Sequence, residues 1–188
     1  MMKRFLSYML FPVIMFMFVN CNKQNKESKN TKEEIIRISS GNFQKLMSSF
    51  KKENSDNVRA SDYPEYYAGA FRDSTGRLVI NIIGDSLTAK RDIIERIGNE
   101  HFLLQEKKYS YTELSQIMDT INRFMLNSTN KKIVDEIEIH VISLLDRENK
   151  IVVRLGNLNA ESITAFKEKV YYSPAIHFAQ SPGRPKLH

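Results

Sequence analysis

The stretch AFRDSTGRLVINIIGDS, residues 70–86, returns in altered form as LLDRENKIVVRLGNLN, residues 144–159. Asp73 matches Asp146, Gly76 matches Asn149, Leu78 matches Ile151, Val79 matches Val152, Ile82 matches Leu155 and Ser86 matches Asn159, all at one spacing. Each copy has a short polar turn between two runs rich in apolar and β-branched residues, and so short a connection makes the two strands antiparallel. Gly and Asn, the matched turn residues, are the two that best tolerate a left-handed backbone. The matched turn, cap and helix face read as a duplication into two similar units, against the alternative of a coincidence between common β-turn-β-α patterns.

The first unit spans residues 66–107. Residues 67–72 form a strand, 73–77 a turn and 78–83 a second strand. Ser86 then caps a helix to Ile97, Gly98 closes it, and residues 102–106 form a third strand. In the second unit, residues 135–180, Ile137, Ile139 and Val141 alternate with Glu136, Glu138 and His140. This is the pattern of a half-buried strand, with His140 on the solvated face. A turn over 146–150, a strand over 151–155, a helix capped by Asn159 and a strand over 176–179 follow; Ile163, Phe166 and Val170 form the apolar side of the helix. Between the units, Ser110-x-x-Glu113 is a capping box. It opens a helix over 111–126 with Leu114, Ile117, Met118, Ile121, Phe124 and Met125 on one face, followed by a loop over 127–132. The expected fold class is α+β: two similar ββαβ units with antiparallel hairpins and helices on one face, preceded by an N-terminal helix.

The N-terminal residues give an address. Lys3 and Arg4 precede an uncharged, mostly apolar run over 5–19, shorter than the ~20 residues of a spanning helix. Residues 1–20 thus read as a secretory signal. Cys21, the only cysteine, ends it, and FVNC resembles a bacterial lipobox, although Phe18 and Asn20 depart from the usual Leu and small residue. The resemblance implies that the Cys21 thiol is acylated. Two or more acyl chains, at ~0.8 kcal/mol per buried CH₂, attach a protein stably to a membrane. The competing reading is a signal peptide cleaved nearby, leaving a free thiol. The expected location is the bacterial cell envelope, lipid-anchored and facing the periplasm or the surface. Residues 21–30 should be a disordered tether. Thr31-x-x-Glu34 then opens a helix bearing Ile36, Phe43, Leu46, Met47 and Phe50, and a polar linker completes the segment 31–62.

Several function classes receive no support. With a single cysteine the exported domain has no disulfide of its own and must be stable through its core. Beyond Lys3 and Arg4 the chain has 26 basic and 22 acidic residues, without a basic stripe interleaved with aromatics, so nucleic acid is not an expected partner. Four scattered histidines, His101, His140, His177 and His188, lack zinc-ligand spacing, and no phosphate loop or dinucleotide motif occurs. No metal or other cofactor is expected.

Residues 66–82, YYAGAFRDSTGRLVINI, resemble a segment in the prodomains of secreted bacterial chymotrypsin-like proteases of the alpha-lytic protease and streptogrisin group. The resemblance lies in Ala68-Gly69-Ala70, Phe71, Asp73, Gly76 and Leu78-Val79-Ile80, and residues 149–180 are similar to the second unit of such regions. It extends over residues 63–180. It implies a folding chaperone and tight inhibitor of a protease, with a C-terminal tail able to enter the active-site cleft. In that family a protease domain follows, whereas this sequence ends at His188, so the expectation is a non-enzymatic protein-binding module with a secreted protease as partner. Residues 181–188, SPGRPKLH, form a tail in which Pro182, Arg184 and Pro185 are candidate partner contacts, against the alternative of a frayed terminus. Tyr63, Tyr66 and Tyr67 are further candidates as an exposed patch, against the alternative that they pack on the core.

Two alternatives stand. Gly84-Asp85-Ser86-Leu87 is similar to the first block of GDSL-type esterases, in which the serine is the nucleophile and needs a base. None of the four histidines has an aspartate three residues before it, and Gly98-x-Glu100 departs from that family's Gly-x-Asn block. A helix cap accounts for Ser86 more simply. The other alternative is a structural or adhesive surface lipoprotein.

Overall fold

The structure, a computed structural model, describes residues 13–52 and 57–183, with side chains from residue 31 onward. Most of the expected signal segment, residues 1–12, lies outside the described residues. Helix α1 (Val13–Phe50) is continuous, which corrects two expectations. Residues 21–30 are helical rather than an unstructured tether, and Thr31 lies inside the helix rather than at its cap. No Pro or Gly occurs over 13–40, and Lys, Gln and Glu are good helix formers, so a helix nucleated in the apolar 36–50 portion propagates backward at little cost. Among the described residues no helix is long and apolar enough to cross a membrane.

The first sheet contains β1 (Tyr67–Arg72), β2 (Leu78–Ile82) and β3 (Leu103–Glu106) in that order, with β1 antiparallel and β3 parallel to β2. A parallel third strand requires a crossover, which is helix α2 (Ser86–Ile97). Leu78, Ile80 and Ile82 alternate onto one face, where Leu46 and Phe50 of α1 and Ala89, Ile93 and Ile97 of α2 enclose them. Polar bonds fix α1 here. The Leu78 N–H donates to Ser39 Oγ at 3.0 Å, and Asn42 and Asn99 exchange side-chain hydrogen bonds of 2.9 and 3.0 Å.

The second sheet repeats the plan with β4 (Ile139–Leu145), β5 (Lys150–Leu155) and β6 (Ile176–Gln180), crossing over through α5 (Ala160–Lys169). Helix α3 (Tyr111–Leu126) packs Leu114, Ile117 and Ile121 against Ile151, Val153, Leu155 and Phe166 in a second, separate core. Ser110 caps α3, its Oγ accepting the Glu113 N–H, which is half of the expected capping box. The turn match also holds, because Gly76 and Asn149 both have positive φ, 92° and 52°.

The single spacing does not hold throughout. The pair Tyr67↔Ile82 recurs as Ile139↔Leu155, and Val79↔Leu103 as Val152↔His177. First strands therefore lie 72 residues apart, second strands 73 and third strands 74. Three further expectations change. The cap of α2 is Asp85, whose carboxylate accepts the Leu87 and Thr88 N–H groups, and Ser86 is the first helical residue. Residues 127–132 are not a loop: a 3₁₀ turn, Ser128–Asn130, leads into α4 (Lys131–Ile137). Ile133, Val134 and Ile137 share one side of α4 and pack on the second core, which draws Ile137 into a helix instead of the strand. Glu138, at φ 55°, then turns the chain so that β4 begins at Ile139. Finally, a bulge between Ile139 and Val141 leaves His140 half-buried beside Gly156, with Nδ1 buried and unpartnered, rather than on a solvated face.

Candidate functional site

The aromatic segment before β1 is occupied inside the chain. Tyr63 and Tyr67 stack with ring centroids 5.1 Å apart, Tyr111 of α3 tilts against both at 4.7 and 5.5 Å, and Phe50 meets them edge-on. Such pairs add ~0.5–1.5 kcal/mol each beyond the area they bury. Tyr67 is buried and Tyr63 and Tyr66 are half-buried. Burial is the main reason that the Tyr63 phenol is pushed up to about 12 and that the Tyr66 and Tyr67 phenols rise further. The Tyr66 hydroxyl donates to Asp92, which also accepts from Arg96 Nε at 2.7 Å. Burial tends to raise the Asp92 carboxyl, but these two hydrogen bonds hold it below the usual range. Arg96 in turn donates to the Ser49 carbonyl at 3.1 Å and lies over the Phe50 ring, so this network ties α2 to the end of α1.

The two units meet where the tip of the β4–β5 hairpin enters the first unit. Asn81, fully buried on β2, donates to the Asp146 carbonyl at 2.6 Å. Asn149 donates to the Ala68 and Tyr109 carbonyls and accepts the Lys108 and Tyr109 N–H groups. Arg147 donates to the Arg72 carbonyl at 2.9 Å and lies over Phe71 at 4.6 Å. Gly69, at φ 106°, makes this approach possible, because the Asp146 carboxyl occupies the space that a Cβ there would need. Sequence reasoning matched Asp146 and Asn149 as turn residues and missed this role; neither periodicity nor turn chemistry says which face a hairpin tip will meet.

The C-terminal tail leaves the second sheet in a fixed direction. The Ser181 N–H continues the β6 ladder by donating to the Leu155 carbonyl at 2.8 Å. Gln180 Nε2 donates to the Gly156 carbonyl at 2.6 Å, and its Oε1 accepts the Leu158 N–H. Ser181 Oγ accepts the Gly183 N–H at 3.1 Å and leaves Pro182 exposed between them. Arg184 and Pro185 lie outside the described residues. Cys21 falls within the portion of α1 described by its backbone alone.

Of the residues considered for catalysis, Ser86 is exposed at the start of α2, and its hydroxyl has no histidine partner among the described residues. Asp85 is committed to the cap, and its hydrogen bonds from the Thr88 hydroxyl and the Leu87 N–H lower its carboxyl pKa. No group of three or more His, Cys, Asp or Glu side chains among the described residues is placed to hold a metal ion.

Two ββαβ units, joined where the tip of one hairpin enters the other unit, define a two-domain α+β scaffold. Residues 22–108 match the family model of the Pro-like N-terminal domain, and residues 112–181 match that of the Pro-like C-terminal domain. The chain belongs to the Pro-like family, proteins that resemble the prodomains of proteases. The boundary between the two matches falls just before α3, which places that helix with the second unit, where most of its apolar face is buried. The comparison with curated proteins gave no match.

Proposed function

We propose that this protein is an exported lipoprotein, anchored through Cys21, that binds a chymotrypsin-like protease as inhibitor or folding chaperone. The observation that carries this reading is the presence of both Pro-like domains in order. Support also comes from the way Gln180 and Ser181 aim the chain beyond β6, which would present Pro182, Arg184 and Pro185 to a partner's cleft. Prolines restrict a chain before it binds, so a segment carrying Pro182 and Pro185 would lose little conformational entropy on entering a groove.

The test is a titration of secreted chymotrypsin-like proteases with the protein. Inhibition should be stoichiometric and should weaken at least tenfold on truncation after Gln180. A panel of such proteases left untouched, and unassisted in refolding, ends the protease reading; capture of envelope proteins without any effect on an enzyme would favour an adhesive role. The anchor has its own test. Radiolabelled palmitate should be incorporated into the wild-type chain and not into Cys21→Ser, and an unlabelled wild-type chain would rule the anchor out.

A further inference from the structure

The inserted hairpin tip brings a carboxyl group into the junction between the units with nothing to neutralise it. Asp146 Oδ1 is buried and accepts no hydrogen bond. Asn81 Oδ1, on the residue whose amide holds the Asp146 carbonyl, is likewise buried without a donor. Unpaired buried acceptors are rare because each forfeits its hydration without replacement. Two in one seam indicate that a donor belongs there, and a protonated carboxyl is one.

The surroundings favour that neutral form. Gly69 of β1 presents bare backbone to the carboxyl, and the phenols of Tyr63, Tyr67 and Tyr111 are within electrostatic reach of it. The nearby cations are turned elsewhere: Arg147 onto Phe71 and the Arg72 carbonyl, Lys107 onto the Arg147 carbonyl. None of the ion pairs among the described residues includes Asp146. With no compensating charge, burial pushes the carboxyl up to about 6.

We propose that Asp146 makes the joint between the two units pH-dependent: its neutral carboxyl seats the hairpin tip in the first unit, and its ionisation loosens that seat. The undocked tip ionises near the ordinary aspartate value, about 4, and the docked tip about two units higher. Docking is therefore strongest below about pH 4, weakens as the pH rises to about 6, and stays weakened above that. A two-unit difference corresponds to about a hundredfold change in the docking equilibrium; because the side chain is only partly buried, solvent screening reduces this to about tenfold. The device does not depend on which partner the chain binds.

The full-length chain tests it. The Lys108 and Tyr109 amides donate to the Asn149 side chain of the tip, so their hydrogen exchange reports on the seat. Corrected for intrinsic exchange, their protection should fall about tenfold between pH 3.5 and pH 8 in the wild type and stay level in Asp146→Asn. The Ile80 and Val153 amides, inside the separate cores, should not follow. The chain has no tryptophan, so its near-ultraviolet dichroism reports chiefly on tyrosines, three of which line the seam. Should Asp146→Asn fail to fold, the wild-type dichroism decides: a transition centred near pH 6 supports the proposal. A flat wild-type response from pH 3.5 to 8, or the same response in Asp146→Asn, overturns it.

Discussion

Asn149 holds both ends of the Tyr109 peptide group pair: its Oδ1 accepts the Tyr109 N–H at 2.9 Å and its Nδ2 donates to the Tyr109 carbonyl at 2.8 Å. A side-chain amide thus pairs with a backbone residue as one strand residue pairs with another. The same residue supplies the positive φ that the β4–β5 turn requires. In the first hairpin Gly76 meets the backbone requirement alone, whereas in the second Asn149 meets it and also fastens the connection between the units.

Asn149→Gly separates these roles. Glycine keeps the turn but removes every side-chain bond, leaving the Lys108 and Tyr109 N–H groups without their acceptor. The expected loss is about 2–4 kcal/mol. Asn149→Ala should lose about 1 kcal/mol more, because alanine is strained at positive φ. Urea unfolding of both variants measures the difference.

Two glycines, one in the first unit and one in α1, should respond in opposite directions. Gly76, at φ 92°, would place a Cβ 2.6 Å from Ile36 Cγ1 of α1, so Gly76→Ala should destabilise by about 1–3 kcal/mol. Gly41 lies within α1, and a Cβ there meets nothing within 4 Å, so Gly41→Ala should stabilise by about 0.5–1 kcal/mol. Thermal unfolding of the two variants checks both signs.

Leu46 is fully buried between α1 and the first sheet. Leu46→Ala should cost about 2–5 kcal/mol. A loss that large means that the C-terminal part of α1 belongs to the folded unit; a loss below about 1 kcal/mol would mean that it does not.

The cap of α2 predicts an asymmetry between neighbours. Asp85→Ala should lower the unfolding midpoint, whereas Ser86→Ala should leave it nearly unchanged, since the Asp85 carboxylate makes the cap bonds. The folded-state pKa of Asp85 is depressed, so its contribution is complete above about pH 4 and is lost as the pH falls through the folded value. The gap between wild type and Asp85→Ala should therefore narrow in acid. Hydrolysis of short p-nitrophenyl esters that Ser86→Ala abolishes would instead place the serine in a catalytic role.

Much of this architecture could be read from local sequence. The alternation at Leu78, Ile80 and Ile82, the stripe Leu114-Ile117-Ile121, the Ser110 and Asn159 caps and the left-handed positions at Gly76 and Asn149 each depend on residues a few places apart. Strand period, helix period and turn chemistry act at that range, so the repeat and its ββαβ plan were legible before any contact was known. What local pattern could not supply was the outcome of competition between elements. Ile137 fits a strand by alternation and a helix by its spacing from Ile133, and only packing on the second core decided for the helix. Likewise the Asp146 turn is ordinary chemistry in isolation. It becomes the joint of the molecule because Gly69, 77 positions earlier in the chain, leaves room for its carboxyl, and such a meeting is decided by which surfaces bury each other, not by the order of residues along either strand.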